Sequence, residues 1–472
     1  MALPAEIESE TDEAYAGVIP ARPVPPKEAP GISAALLRPH LLANLIASYP
    51  DYWYKVASCE FRVGIARGGR GVMVNEPEAI RRIFVSEAEN FPKDDNQLAI
   101  LKPLLGNGLL TAEGPMWRRN RKLAAPIFQH SSVRDFAPLF VRSAERSAAR
   151  ALTHPGPVRI DNEMTKLTLE IIGESVLSAN LDQDIDGISH TVTSVLDKFP
   201  AMFLASAFLP SAVRNRVIEA VVQPGRRKLD VFARRIIEEA KRDGNDTTLL
   251  RRLMTASQNA GGHEMTLDEV RDEVATFLLA GHETTATTMT WAWYLLTLHP
   301  EWQEKLYEEV HAVTGGRRLT IDDVPSLVLT RAVIDETLRL YPVVANMMRR
   351  AAKTVELMPG LTVERGQSVL VSPWLLHRHR RYWHEPDLFD PTRFLGDAAS
   401  QRPRHLYMPF GAGPRICIGM SFALLEAVLI LGTFVQRARI RVVDTERVMP
   451  QARIVLRPNM PLEALVTPRR ID

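Results

Sequence analysis

Two short stretches hold residue types whose spacing suits chemistry. The first is Pro409-Phe410-Gly411-Ala412-Gly413-Pro414-Arg415-Ile416-Cys417-Ile418-Gly419, a glycine-laced loop with one cysteine and one arginine, followed by an apolar run from Phe422. Gly411, Gly413 and Gly419 are expected to take positive φ angles, so that backbone can approach a bulky flat group. Arg415, two residues before the cysteine, suits an anion. N–H groups after Cys417, at the start of the next helix, are expected to favour thiolate over thiol. These features suit a soft metal held by one sulfur at the edge of a buried cofactor; the plainer alternative is a structural cysteine in a turn. The second stretch, Ala280-Gly281-His282-Glu283-Thr284-Thr285, sets an acid beside an alcohol. A weakened helical turn there is a place for oxygen and protons: Gly281 costs about 1 kcal/mol against alanine, and the threonines can bond back to carbonyls. It falls short of the zinc-protease pattern because Ala286 stands at the second histidine position.

Elements must position these groups. Thr266-Leu267-Asp268-Glu269 has capping-box spacing, and a helical pattern runs from there to Leu298, before His299-Pro300. About 32 residues at 1.5 Å each make roughly 48 Å, enough to cross a domain. Trp117 and Arg121 share one helical face, with Arg118, Arg119 and Lys122 as a basic patch on another. Glu336 and Arg339 can pair across a turn, and Pro391-Thr392-Arg393-Phe394 lies downstream. Phe61 to Val74 reads as a hairpin around a glycine turn, Pro77 starts a helix, and the stretches 440–444 and 453–457 read as a terminal hairpin. Residues 1–30 read as a proline-rich tail before one unit spanning 31–472.

The 472 residues carry 58 basic and 56 acidic side chains, a net charge of +2, which gives no reason to expect a nucleic-acid partner. Two cysteines exclude a disulfide framework and suit a reducing interior. Cys59 reads as a small packing residue, and the histidines around His377 as packing or surface residues rather than metal ligands. No apolar run reaches the roughly 20 residues of a bilayer span, and the acidic N-terminus is unlike a signal peptide, so a cytoplasmic location is expected.

The run Phe410-Gly411-x-Gly413-x-Arg415-x-Cys417-x-Gly419 resembles the haem-binding loop of the cytochrome P-450 monooxygenases, and the tryptophan–arginine helix, oxygen helix, Glu-x-x-Arg and Pro-x-Arg-Phe segments stand in that family's order. The resemblance implies a mainly α fold with a smaller β-rich lobe, holding haem b between the long helix and the cysteine loop. Cys417 would be the axial iron ligand, with electron donation that favours O–O cleavage. Trp117, Arg121 and Arg349 would meet haem propionates, with Arg350 the rival for the last role. Phe410, Gly411, Gly413, Arg415 and Gly419 would shape the loop against the cofactor. Glu283 would relay protons and Thr284 would sit beside bound O₂. Glu336, Arg339 and Arg393 would form a buried structural lock. Ala280, Gly281, Val343 and Val344 would line a substrate pocket set by residues 93–113, 195–225 and 343–347.

The resemblance further implies insertion of one oxygen atom from O₂ into a C–H or double bond of a lipophilic molecule. Electrons from NAD(P)H would arrive through a separate ferredoxin or flavodoxin docked at Arg118, Arg119 and Lys122 on a monomeric enzyme of the soluble, bacterial style. Two alternatives stay open: a haem-thiolate peroxygenase or isomerase needing no external electrons, and a non-catalytic haem sensor or electron carrier.

Overall fold

A computed structural model of the chain describes residues 44, 46, 49–63, 69–177, 185–199, 201–202, 205, 209–243, 250, 253, 265–396 and 401–469. The proline-rich tail and most of the apolar section 200–208 lie outside the described residues. Ten longer helices follow in chain order: α1 (Asp95–Leu105), α2 (Gly114–Ala124), α3 (Ala137–Thr153), α4 (Ile160–Ile172), α5 (Ile185–Asp197), α6 (Ser211–Asp243), α7 (Leu267–Leu298), α8 (Pro300–Thr314), α9 (Val328–Leu340) and α10 (Met420–Arg437).

The axis of the molecule is α7. Thr266 caps it by accepting from the Glu269 N–H, and Glu269 returns a bond to the Thr266 N–H, so the capping box forms where its spacing placed it. The helix is buried over most of its length, as expected of one that packs on all sides. Gly281 lets α4 approach: a Cβ there would come within 2.6 Å of Ile172. Near its end the Trp291 indole stacks on Tyr341 at 3.9 Å and donates to the Leu456 carbonyl at 2.8 Å. Among the described residues, α10 alone is apolar and long enough to cross a bilayer; it is instead largely buried and packs against α3 and α8.

The β-rich lobe is a four-stranded sheet ordered β1 (Ser58–Val63), β2 (Gly69–Val74), β7 (Ser368–Val371), β4 (Met347–Arg350), with only the β2–β7 pair parallel. Between β4 and β7 the chain forms the small hairpin β5 (Val355–Met358) and β6 (Leu361–Val363). The C-terminal expectation needs correction. Strand β8 (Ala438–Val442) pairs with β11 (Glu463–Pro468), which also pairs with β3 (Val158–Arg159). Inserted between β8 and β11 is a second hairpin, β9 (Pro450–Ala452) and β10 (Leu456–Pro458). Residues 453–455, read as strand, are its turn, which carries Ile454 and Val455 to a cavity beside α7.

The expected lock is buried at the junction of lobe and helices. Arg339 meets Glu336 at 2.6 and 2.7 Å with both side chains fully buried. Its other N–H groups go to the carbonyls of His377, Pro386 and Leu388. Arg393 approaches Glu336 only to 3.6 Å and donates instead to the Glu385 carbonyl at 2.9 Å, so it is the looser member.

Candidate active site

The Cys417 loop, α2 and the middle of α7 enclose a cavity of about 370 Å³. The loop turns as the glycines allow at two of three positions: φ is 75° at Gly411 and 68° at Gly413. A side chain at Gly413 would collide with the Phe84 carbonyl, so this residue lets the loop lie against the chain that follows the Pro77 helix. Gly419 departs from expectation. Its φ is −88°, it serves as N-cap of α10, and a Cβ would have ordinary contacts of 3.9 Å. Its N–H bonds to Cys417.

The Cys417 sulfur is enclosed by protein except where it opens on the cavity. Burial pushes its thiol up, with the Gly419 N–H and Arg121 pulling the other way. The N–H after Cys417 thus favours the thiolate in the expected direction, against a larger opposing effect of desolvation, and Arg121 adds to it.

A second wall gathers bases. Lys93, Arg121, Arg349 and Arg415 all line the cavity, and Glu113 is the carboxylate among them, 2.6 Å from Arg415 and 3.6 Å from Lys93. The Arg415 guanidinium lies 4.3 Å over the Trp117 ring, with Arg121 at 6.0 Å. Arg349 is half-buried, with its guanidinium over Phe84 at 4.6 Å and a bond donated to the Met348 carbonyl; desolvation, with Arg415 nearby, lowers its pKa to about 10. Arg350, its sequence rival, pairs with Asp95 on the surface. Lys93 was not legible in any motif. Its backbone bridges to Arg349, and burial followed by the Arg415 charge depresses its amine to about 7. A nest of bases with one carboxylate, sharing a cavity with a single sulfur, fits a flat metal macrocycle with acidic substituents.

Helix α7 supplies the third wall through Thr276, Ala280, Gly281, Glu283, Thr284, Thr285 and Thr288. The Thr284 hydroxyl donates to the Ala280 carbonyl at 2.8 Å and Thr288 to the Thr284 carbonyl at 2.9 Å. Thr168 of α4 donates to the His282 carbonyl at 3.0 Å. Glu283 is buried and held by both forks of Arg457 from β10, with Thr287 donating to it at 3.3 Å. His282, one residue earlier, is fully buried and its pKa is lowered by that burial. On α10, Glu426 lies nine positions after Cys417. Burial pushes its carboxyl up to about 8, and it hydrogen-bonds Thr285, tying the cysteine's helix to the acid–alcohol turn. Neither Arg457 nor Glu426 had a local spacing signal.

Val343, Val344, Met347, Leu101, Leu109 and Ile172 complete a mainly apolar lining. Residues 93–113 and 343–347 contribute as expected; among the described residues none from 195–225 does. The basic patch is smaller than expected: Arg119 turns inward to Glu269 at 2.6 Å, leaving Arg118 and Lys122 exposed. No group of histidine, cysteine or acidic side chains among the described residues has the makings of a separate metal site.

Comparison with known proteins agrees with this geometry. The cytochrome P-450 family profile matches residues 63–466. Cyclooctatin synthase of Streptomyces melanosporofaciens is 33% identical over 402 residues, covering 83% of this chain and 85% of the relative. Cyclooctat-9-en-7-ol 5-monooxygenase of the same organism is 32% identical over 441 residues, covering 89% and 91%. The human ultra-long-chain fatty acid omega-hydroxylase is 30% identical over 418 residues, covering 83% and 78%. A crystal structure of a cytochrome P-450 haem domain superposes with a TM-score of 0.77 at 23% identity, covering 88% of this chain and 90% of that one. A sulfur, an acid–alcohol turn and a nest of bases around one cavity, in a chain matched to one profile over most of its length, lead to one assignment: the chain belongs to the cytochrome P-450 family, as a monooxygenase.

Proposed function

We propose that this protein hydroxylates or epoxidises a largely apolar small molecule. The observation that carries the reading is that Cys417, Thr284 and the apolar lining from Val343, Val344, Ile454 and Val455 face one cavity. The name of one Streptomyces relative, cyclooctat-9-en-7-ol 5-monooxygenase, supports oxygenation of a largely hydrocarbon molecule.

When bound, haem iron supplies the electron chemistry that activates O₂. The chain's own residues do the remainder. Cys417 holds the iron through sulfur, and the bases Arg121, Arg349, Arg415 and Lys93, with Trp117, hold the propionates. Phe410 and the turns at Gly411 and Gly413 shape the loop against the ring. Thr284 holds a hydroxyl where oxygen must sit, and Glu283 is the acid from which protons pass toward it. Both oxygens of the Glu283 carboxylate are engaged by Arg457, so proton passage requires that clamp to loosen or an ordered water to share it. Apolar walls exclude bulk water and favour a lipophilic molecule. Electrons are supplied by a ferredoxin or flavodoxin type of protein meeting Arg118 and Lys122, with NAD(P)H as their source, and the enzyme works as a monomer in the cytoplasm.

The holoenzyme, a surrogate ferredoxin system and a panel of terpenoids, fatty acids and aromatic hydrocarbons test the reading. The expected product carries one oxygen atom, labelled when the gas is ¹⁸O₂. Label arriving from water, or product formed equally well without reductant, overturns it; the latter favours a peroxygenase or isomerase.

A further inference from the structure

Part of the apolar lining comes from two separate stretches of chain. Val343, Val344 and Met347 follow α9, while Ile454 and Val455 sit at the turn between β9 and β10. A backbone bond joins the two, from the Leu456 N–H to the Val343 carbonyl at 2.8 Å. Apolar side chains on such short stretches are only as well placed as the groups that hold their backbone. One segment near the N-terminus supports both. The half-buried Asn44 amide stands where a neighbouring strand would on β9: it donates to the Pro450 carbonyl at 2.8 Å and accepts from the Ala452 N–H at 3.0 Å. Farther along, the Tyr49 hydroxyl donates to Asn346 Oδ1 at 2.7 Å. Burial pushes the Tyr49 phenol up, so it keeps the proton it donates. Between them Ile46 is fully buried in the core, and Tyr49 packs on Trp53 at 5.1 Å, which anchors the segment itself. Neither Asn44 nor Tyr49 lines the cavity. The hydrogen bonds close a circuit: Asn44 to β9, β10 to Val343, and Asn346 back to Tyr49.

We propose that Asn44 and Tyr49 are positioning residues, which fix a substrate-facing wall from outside the cavity and so decide which carbon of a bound molecule is oxidised. The inference rests on the monooxygenase reading above for what that wall does. Opening the circuit at Asn44 frees β9 and the turn bearing Ile454 and Val455. Opening it at Tyr49 frees Asn346 and with it the backbone between Val344 and Met347. The Cys417 loop and the bases around Glu113 stand outside the circuit, so haem retention is expected to survive either change.

Spectral titration of the holoenzyme with imidazole, N-octylimidazole and N-dodecylimidazole provides the first test. Imidazole needs only the iron, whereas the alkyl chains must lie along the apolar lining. Asn44→Ala and Tyr49→Phe should each weaken the alkyl ligands about threefold to tenfold, the scale of one lost hydrogen bond, and leave imidazole unchanged. The double variant should be less than additive, because one opening of the circuit already frees the wall. The second test is product distribution. For any panel molecule that the parent oxygenates, the ratio of positional isomers should shift about threefold or more in both variants. A merely structural role would lower stability and leave that ratio alone. Equal weakening of all three ligands, or alkyl affinities and isomer ratios like the parent's, overturns the proposal. So does loss of the ferrous–CO band in both variants, which would place the segment in the general fold rather than behind the wall. A parent that oxygenates no panel molecule would sink the monooxygenase reading, and the ligand series would still decide this one.

Discussion

Single residues differ sharply in what they tolerate, and the three glycines of the cysteine loop show it. Gly413 combines positive φ with a collision course toward the Phe84 carbonyl, Gly411 has positive φ with nearest neighbours at 3.8 Å, and Gly419 has neither constraint. Alanine should therefore abolish haem loading at Gly413 and weaken it at Gly411, where left-handed backbone costs about 1–2 kcal/mol. At Gly419 it should be nearly silent, all three read by the ferrous–CO absorption of purified protein. A second residue-scale asymmetry lies in the Glu283–Arg457 pair. Arg457→Leu strands a buried carboxylate, and a loss of about 3–5 kcal/mol is expected in denaturant unfolding of the holoenzyme. Adding Glu283→Gln should recover most of it, since the stranded charge is gone. An Arg457→Leu variant as stable as the parent would show that the clamp does not form in solution. Neither Arg457 nor Lys93 could be found in the sequence, because Arg457 lies 174 residues from its partner and no spacing rule links strands to a helix that far away. The Cys417 loop was legible because its residues act within one turn of each other.

Elements were legible where the signal was local. The ends of α7 and the Glu336–Arg339 pair could be named from spacing, since capping and i,i+3 contacts need only neighbouring residues. The C-terminal strands were misplaced because residues 453–457 are β-prone but belong to the turn and second strand of the inserted β9–β10 hairpin, while the true partner of β8 is β11, which also pairs with β3 about 300 residues earlier in the chain. The attachment of residues 106–112 to α7 was equally hidden. Asp272 accepts from the Asn107 N–H at 2.7 Å, and Glu273 accepts from the Leu109 N–H at 3.0 Å and from Asn120 at 2.6 Å. Two successive acids thus strap a cavity-lining loop to the central helix. Burial raises the Glu273 carboxyl from an ordinary 4.5 to about 7. The folded protein therefore binds this proton more tightly than the unfolded chain does. Between those two values stability falls as pH rises, and above the upper one the full cost of ionising the group is present. Glu273→Gln removes that component, so its unfolding free energy should decline less than the parent's between pH 5 and 8, by about 3 kcal/mol at most. Parallel pH profiles of parent and variant would show that Glu273 is not desolvated as its surroundings dictate.

For the whole molecule, the question is how electrons reach a cavity walled by apolar side chains. The chain's formal charge is only +2, so long-range steering cannot come from net charge and must come from a local patch. Helix α2 offers one. It carries Trp117 and Arg121 on the cavity side and exposes Arg118 and Lys122 on the other, while Arg119 is withdrawn into its pair with Glu269. The same helix thus touches the cavity with one face and solvent with the other. An acidic ferredoxin or flavodoxin meeting Arg118 and Lys122 would sit one helix thickness, about 10 Å, from the cavity wall. Arg118→Glu combined with Lys122→Glu should reduce partner-supported turnover about tenfold or more at low salt, through slower association rather than altered chemistry. The deficit should shrink as salt is raised, because the attraction being lost is itself screened beyond about 10 Å at 0.1 M. Turnover driven by added peroxide should not change, since that route needs no docking partner. Arg119→Gln is the control: it should lower stability slightly by unpairing Glu269 and leave the salt dependence of electron delivery intact. Were the double charge reversal to spare partner-supported turnover at low salt, the electron-entry face would have to be sought away from α2.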